Sequence, residues 1–462
     1  MPADYRKTSI KKSNMKKYVL FFTLFINASA FSQIIIRRDP EIEEMANKVS
    51  SDSLQSYIKS LVAFGTRSTL SAQTNTTRGI GAARNWVLKK FLEFAKNAGG
   101  RLTAFIDTTT LQTSGRMDAP VFLGNVLATL KGTDPDDHRI FIISGHLDSR
   151  RSDVMDGTGN APGANDDGSG TAAVLECARI MCRHTFPATV IFVAVSGEEQ
   201  GLYGSTFMAN KAKNQNWDIR AVLNNDIIGS NNSSQTHLIN NTKVRVFSEG
   251  IPATASEKDI AKIRALGLEN DSKSRELARY IKEVGERYVD NLEVVMIFRP
   301  DRFLRGGDHL PYLRNGFSAV RITEMNENYT HQHQDVRKEN GIKYGDLPQF
   351  IDYEYLRKNT ALNLVSLANL AMAPSVPREV NLEVNSLSDK SSLLWQKPAY
   401  GKIIGYYILI RASSSPLWEK KIFTTQNSIT IPYSKDNYIF GVQSVNEKGN
   451  ESLPVIPDLK GR

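Results

Sequence analysis

Four short stretches carry residue types able to bind a metal ion or move a proton, each at the end of an apolar run or in the loop beyond one. "RIFIISGHLDS" closes on His146 and Asp148, and "GANDDGSG" carries Asp166 and Asp167 ahead of a helical stretch. "TVIFVAVSGEE" closes on Glu198 and Glu199, and "IRAVLNND" on Asp226. Imidazole nitrogen and carboxylate oxygen are ligands of zinc, and a hydrolytic zinc site leaves one coordination position for water. A carboxylate between two ions about 3.5 to 4 Å apart bridges them, and the pair acidifies the shared water and clamps a carbonyl oxygen. Such chemistry needs a second carboxylate, adjacent but not ligating, to take the proton from water and pass it to a leaving amine. Two neighbouring glutamates after a strand supply one ligand and one base. Singly each motif is weak: His-x-Asp occurs by chance, "NDDGSG" reads equally as a turn and helix cap, and Glu-Glu is commonly a solvated pair. Their joint occurrence at successive strand ends makes chance a poor explanation.

The elements that must position these groups are legible in the periodicity. Residues 40 to 100 read as helical, with "DSLQSYIKSLVAFG" and "GIGAARNWVLKKFLEFAKNAG" spacing apolar residues three and four apart and closing on glycine. Strand-like runs ("NVLATLKG", "RIFIISG", "TVIFVAVSG", "IRAVLNN") then alternate with the helical "GTAAVLECARIMCR" and "YGSTFMANKAKNQ". This alternation predicts crossover connections and an α/β domain with a mainly parallel mixed sheet covered by helices. In such a sheet ligands bind beyond the carboxyl ends of the strands, where His146 sits. A long helix "SKSRELARYIKEVGERY", the strands "LEVVMIF" and "SAVRITE", and a closing amphipathic helix over 353–373 complete the domain. After "APSVPREV", a linker or first edge strand, short alternating runs predict a small all-β sandwich. The chain therefore divides into an export leader over 1–30, a hydrolase domain over 31–374 and a sandwich over 375–462.

With these motifs in view, residues 120 to 370 resemble the two-zinc exopeptidases that include bacterial leucyl-type aminopeptidases, plasma glutamate carboxypeptidase and prostate-specific membrane antigen. The resemblance is carried by "SGHLDS", "GANDDGSG", "VSGEEQGLYGS" and "NNDIIG". It implies two zinc ions: His146 and Asp226 on one, Asp166 bridging, Glu199 on the second, Glu198 as general base, and Asp148 orienting His146 through its other ring nitrogen. In that family a late histidine follows a tyrosine and precedes an aspartate by four residues. Here the stretch reads "ENYTHQHQDV": His331 keeps the distance to Asp335, Tyr329 then stands one residue too far upstream to adjoin it, and His333 is the competing ligand. The spare histidine would line the site, and Tyr329 could still reach a tetrahedral oxyanion. "RGGDHLPY" also resembles a family loop, making Asp308 and His309 either substrate-side groups or parts of a plain structural loop. The last 85 or so residues resemble a fibronectin type III module, with Trp395 early and "GYYILIR" central.

The resemblance thus implies a dizinc metallopeptidase, first of all an aminopeptidase releasing N-terminal residues. Carboxypeptidase, dipeptidase and glutaminyl-cyclase chemistry on the same fold are the alternatives within the class, and a non-catalytic peptide- or surface-binding protein the rival outside it. Arg299, Arg302 and Arg305 in "RPDRFLRGG" suit a substrate carboxylate or an ordinary basic loop. His138, His184 and His237 have no evident partners and read as surface or capping residues.

Composition sets the remaining bounds. At 462 residues, 40% hydrophobic and 23% charged, the chain is long enough for more than one core. Its net charge is +9, of which the first 30 residues carry +5, leaving +4 for the other 432. That remainder argues against a nucleic-acid partner and leaves a peptide as the expected one. The basic "RKTSIKKSNMKK", the short apolar "YVLFFTLFINASAF" and the small-x-small Ala28-Ser29-Ala30 read as a cleaved signal peptide, hence an exported enzyme without stable membrane insertion. Cys177 and Cys182, five apart on one expected helix, point to different sides and are read as unbridged core residues.

Overall fold

The structure, a computed structural model, describes residues 38–460 together with Met1 and Ile36, so the expected leader falls outside the described residues. Helices α1 (Pro40–Asn47), α2 (Ser51–Ala63) and α3 (Ile80–Ala95) come first. Asp39 and Ser50 open the first two by accepting N–H bonds from Glu41 and Ser53. The ribbon β1 (Leu102–Leu111) and β2 (Val121–Leu130) follows. β1 is an edge strand with only Leu102 fully buried, which is why its apolar signal is faint.

The alternating region gives β3 (Arg139–His146), α4 (Gly168–Met181), β4 (Thr189–Val195), the single turn α5 (Glu198–Gly201), α6 (Tyr203–Asn214) and β5 (Asp218–Asn225). Beyond it lie β6 (Lys243–Phe247), α7 (Glu257–Leu266), α8 (Lys273–Tyr288), β7 (Glu293–Ile297), α9 (His309–Arg314) and β8 (Ala319–Glu324). A small hairpin, β9 (Arg337–Glu339) and β10 (Ile342–Tyr344), precedes α10 (Tyr353–Met372).

The eight long strands form one mixed sheet in the order β1-β2-β4-β3-β5-β8-β6-β7. The four central strands β4, β3, β5 and β8 are parallel neighbours, so their carboxyl ends share one edge. β2 and β6 join them antiparallel. Side chains of α1 to α4, α8 and α10 build the core on one face, and those of α6 and α9 the smaller core on the other. Where α4 meets β3 the backbones nearly touch: a Cβ on Gly145 would lie 2.5 Å from the Gly170 carbonyl carbon. α10 departs from the amphipathic helix expected, because it is buried on almost every side. Its polar residues bond inside the core instead: Asn363 Nδ2 donates to Asn225 Oδ1 at 2.7 Å and Asn359 Nδ2 to the Ile228 carbonyl at 2.8 Å.

Residues 378–460 form β11 (Arg378–Glu383), β12 (Ser391–Gln396), β13 (Gly405–Ala412), β14 (Lys420–Thr424), β15 (Ser428–Ile431), β16 (Tyr438–Val445) and β17 (Asp458–Lys460). They make two facing sheets, β15-β12-β11-β17 and β14-β13-β16, around a core that includes Trp395, Tyr406 and Phe440. This region is welded to the large sheet's helices through buried polar bonds. Arg411 Nη2 donates to both carboxylate oxygens of Asp271 at 2.7 and 2.6 Å, and Trp418 Nε1 donates to Glu276 at 3.1 Å. Arg287 pairs with Glu451, whose backbone carbonyl accepts from Tyr280 Oη at 2.9 Å. The connecting segment is held too: Ser375 N–H donates to the Tyr400 carbonyl at 3.0 Å.

Burial works against the charge on Glu451, but Arg287 and Lys421 outweigh it and hold the carboxyl down to about 2. A carboxyl depressed on folding contributes stability above its unfolded value of about 4.3 and loses that contribution as pH falls through the folded value. Glu451→Gln should therefore cost about 3 kcal/mol or more at pH 7, because it strands a buried guanidinium. In thermal unfolding of both proteins, the gap in midpoint should shrink between about pH 5 and 2; a gap that stays constant over that range would refute the assignment.

Candidate metal centre

The turns at the carboxyl edge bring the acidic and imidazole groups together. His146 is the last residue of β3, and the Asp167 carboxylate reaches back to accept its N–H at 2.9 Å. The same carboxylate accepts from Gly170 N at 2.9 Å, capping α4, and from Ile227 N at 3.2 Å, just past β5. One fully buried side chain thus fixes β3, the loop bearing Asp166 and the segment bearing Asp226. Asp166 is further set by Asp346, which accepts the N–H groups of both Asn165 and Asp166 at 2.9 and 2.7 Å. Arg67, 1% exposed, ties the surrounding loops by donating to the carbonyls of Leu147, Pro162 and Gly163 at 2.6 to 2.8 Å.

Two groups of ligand atoms result, each within 4.8 Å of one another: His146, Asp166 and Asp226, and Asp166, Glu199 and His333. Asp166 belongs to both. Its Oδ1 lies 3.1 Å from His146 Nε2 and its Oδ2 3.0 Å from His333 Nε2, so one oxygen faces each way. His333 Nε2 is also 3.1 Å from Glu199 Oε1, and His146 Nε2 is 3.8 Å from Asp226 Oδ1. Of the two late histidines it is therefore His333 that reaches the cluster. His331 does not line the site: it lies stacked on Phe350 at 3.7 Å, where burial lowers its pKa to about 4.

The carboxylates dominate the electrostatics of the cluster. Burial works against charging His333, yet Glu199 and Asp166 outweigh it and raise the ring to about 10. For His146, too, the neighbouring carboxylates overcome burial and push it well above its usual range. Burial opposes ionisation of Asp226, but Arg321 and His146 hold its carboxyl down to about 2. The Arg321 guanidinium, fully buried, lies 2.9 Å from Asp226 Oδ1 and donates to the Gly306 carbonyl at 2.6 Å. Glu199 Oε1 finds no hydrogen-bond donor among the described residues.

Glu198 begins the turn after Gly197, whose φ of +78° a side chain would strain. It lines a cavity of about 650 Å³ over the cluster. Removal from bulk water, reinforced by Asp226 and Glu199, pushes its carboxyl well above the usual range, as suits a proton acceptor working near neutral pH.

Two expectations need correction. His146 Nδ1 faces the backbone carbonyl of Asp148 at 3.0 Å, and the Asp148 carboxylate is farther away at 3.7 Å. That carboxylate instead accepts from the N–H groups of Glu198 and Glu199 at 3.3 and 3.1 Å and from Thr69 Oγ1 at 3.0 Å. Asp148 therefore fixes the backbone of Glu198 and Glu199, while its main chain meets the His146 ring. Tyr329, expected within reach of the site, is 52% exposed and absent from the cavity wall; Tyr203 lines it instead.

Asp308 and His309 are internal groups, bonded to Ser205 Oγ at 2.5 Å and to the Pro300 carbonyl at 2.7 Å. His138 and His237 are exposed, and His184 pairs with Glu41 at 3.1 Å. Cys177 and Cys182 are buried and unbridged. Sequence reasoning missed Arg67, Asp346 and Arg321. Only the last gave a signal: an arginine inside the apolar "SAVRITE" has to find an anion when the strand is buried.

Residues 125–351 match the family model described as peptidase family M28. A probable zinc metalloprotease of Leptosphaeria maculans is 41% identical over 420 residues, spanning 91% of this chain and 97% of its own. One from Pyricularia oryzae is 43% identical over 426 residues, spanning 91% of this chain and 84% of its own. Among solved structures, the Legionella pneumophila LapA aminopeptidase shares the fold at a TM-score of 0.51 and 20% identity, over 74% of this chain and 77% of its own.

Asp148→Asn turns one carboxylate oxygen into a donor facing donors. Turnover should fall about 10- to 100-fold while the fold persists, as when groups supporting metal ligands are altered. Circular dichroism beside an activity assay checks this, and full activity in a folded Asp148→Asn protein would exclude the positioning role.

Proposed function

Because the chain belongs to peptidase family M28, we propose that it is an exported zinc-dependent exopeptidase that holds two ions and uses Glu198 as its general base. The observation that carries the reading is the carboxylate of Asp166, which presents one oxygen to each of two ligand groups. The donor set fits zinc, being imidazole nitrogen and carboxylate oxygen throughout, and the orphaned Glu199 Oε1 together with two histidines drawn toward protonation marks a place built for positive charge. His146 and Asp226 would hold one ion, Glu199 and His333 the other, with Asp166 between. When bound, the ions supply the Lewis acidity that polarises a peptide carbonyl and acidifies water.

The chain's own residues supply the proton path and the alignment. Glu198 takes a proton from water at its carboxylate and delivers it to the nitrogen of the departing peptide. Its raised affinity for protons makes the transfer favourable, and Asp148 fixes the turn on which it stands. Arg321 keeps Asp226 ionised and oriented.

Release of N-terminal residues is the first reading of specificity, from the resemblance of the motifs to leucyl-type aminopeptidases. Carboxypeptidase or dipeptidase action is the second, favoured by arginines on the cavity wall. The sandwich, fibronectin type III-like in its motifs, acts as a fixed part of the enzyme, given its buried ion pairs to the helices.

The test is hydrolysis of aminoacyl-anilides and of N-blocked peptides with free C-termini, with metal content measured. About two zinc per chain and release from the free-amine substrates are expected. Glu198→Gln should keep the metal and lose about 10²- to 10⁴-fold in turnover. Cleavage confined to the blocked peptides would move the answer to carboxypeptidase, and a Glu198→Gln enzyme as active as the parent would remove Glu198 from the mechanism.

A further inference from the structure

The cavity over the metal-ligand cluster is lined by four carboxylates and five arginines. The carboxylates are Asp166, Glu198, Glu199 and Asp226, each already committed to metal binding or proton transfer. The arginines are Arg116, Arg150, Arg302, Arg305 and Arg314. Arg302 is neutralised by Glu327 at 2.7 Å, whereas the other four have no acidic partner within 4.0 Å among the described residues. Two divalent ions offset the charge of four carboxylates, so the arginines decide the sign of the cavity, and the sign is positive. No carboxylate on the wall is left to hold a substrate cation.

Two of the four free guanidinium groups also lie against the cluster's own residues, and a third is held by its own loop. Arg116, from the loop between β1 and β2, donates to the Glu199 carbonyl at 2.8 Å. Arg305, from the loop between β7 and α9, lies 3.3 Å from His333 Nδ1. Arg150 donates to the carbonyls of Arg151 and Ser152, both at 3.0 Å. The carbonyl partners of Arg116 and Arg150 orient a guanidinium without cancelling its charge, so the planar fork remains available to a carboxylate, while Arg305 meets only the edge of the His333 ring. Arg116 and Arg305 reach the Asp166, Glu199 and His333 group from different loops, which places the free charge beside the reacting centre.

We propose that this cavity selects peptides bearing a carboxylate next to the scissile bond, held by Arg305 and Arg116 with Arg150 and Arg314 adding attraction. The carboxylate is either the peptide's own C-terminus, in very short substrates, or an acidic side chain. This inference rests on the exopeptidase reading for what happens to the substrate, but not for its binding.

The test compares four substrates with the full chain: Leu-Glu, Leu-Gln and the C-terminal amide of each. Leu-Glu should exceed Leu-Gln amide about tenfold or more in kcat/KM, mainly through KM, and added salt should narrow the gap. Leu-Gln and Leu-Glu amide show which carboxylate carries the preference. Arg305→Gln and Arg116→Gln should each compress the ratio, and Arg305→Lys should restore part of it. Calorimetric binding of Leu-Glu and Leu-Gln amide to zinc-loaded Glu198→Gln protein gives a readout without turnover. Binding that favours Leu-Glu and depends on the arginines supports the proposal even if nothing is cleaved, an outcome that would instead remove the peptidase reading. Equal handling of all four substrates, or a preference indifferent to both arginine substitutions, would overturn it while leaving the exopeptidase intact.

Discussion

Three backbone N–H groups from three separate segments converge on the buried carboxylate of Asp167, and the site depends on that convergence. A buried carboxylate tolerates its surroundings only when its lone pairs are occupied. The segments that satisfy it are the end of β3, the first turn of α4 and the residues after β5. Their meeting sets His146, Asp166 and Asp226 at bonding range of a common point. The close approach of Gly145 to Gly170 is part of the same constraint, since a side chain at Gly145 would push α4 off the strand.

Concentrating acids at one sheet edge is costly, and the fold manages the cost in two ways. Carboxylates meant to support others are saturated with N–H donors, as Asp148 and Asp346 are. The carboxylates of the two clusters are instead offset by cations, Arg321 behind Asp226 and the imidazoles elsewhere. Arg321 also reaches the Gly306 carbonyl, in the loop that carries Arg305, so the ligand sphere and the cavity wall share a support. Together these bonds leave carboxylate oxygens and ring nitrogens facing one another, with arginines on the cavity wall that have no acidic partner within 4.0 Å among the described residues.

The β-sandwich extends the rigid frame. It has its own apolar core, but the acidic partner of Arg411, the closest cation to Glu451 and the acceptor of the Trp418 N–H all lie on α8 and the loop before it. Separating the two surfaces would expose or strand these groups, so the arrangement is held by charge satisfaction as much as by apolar burial. α10 connects this interface to the site: Asn369 meets Glu451 near one end, and Asn363 bonds Asn225, the residue before Asp226, farther up.

Chain order and periodicity determined the parallel strands, the edge at which their carboxyl ends meet, and six of the groups gathered there: His146, Asp148, Asp166, Glu198, Glu199 and Asp226. This was possible because a parallel strand delivers the residue at its end to one edge, so local sequence and position in space coincide. His331 against His333 was open for the opposite reason. Both belong to one irregular loop without a period, and only the stacking of His331 on Phe350 and the left-handed backbone at His333 decide which ring faces the carboxylates. The same holds for Asp148, whose carboxylate and carbonyl serve different neighbours, and for the arginines of the cavity, which arrive from loops distant in sequence. The types of group gathered at the edge follow from the sequence; which oxygen, which ring and which charges face one another are set by contacts between segments that share no local pattern.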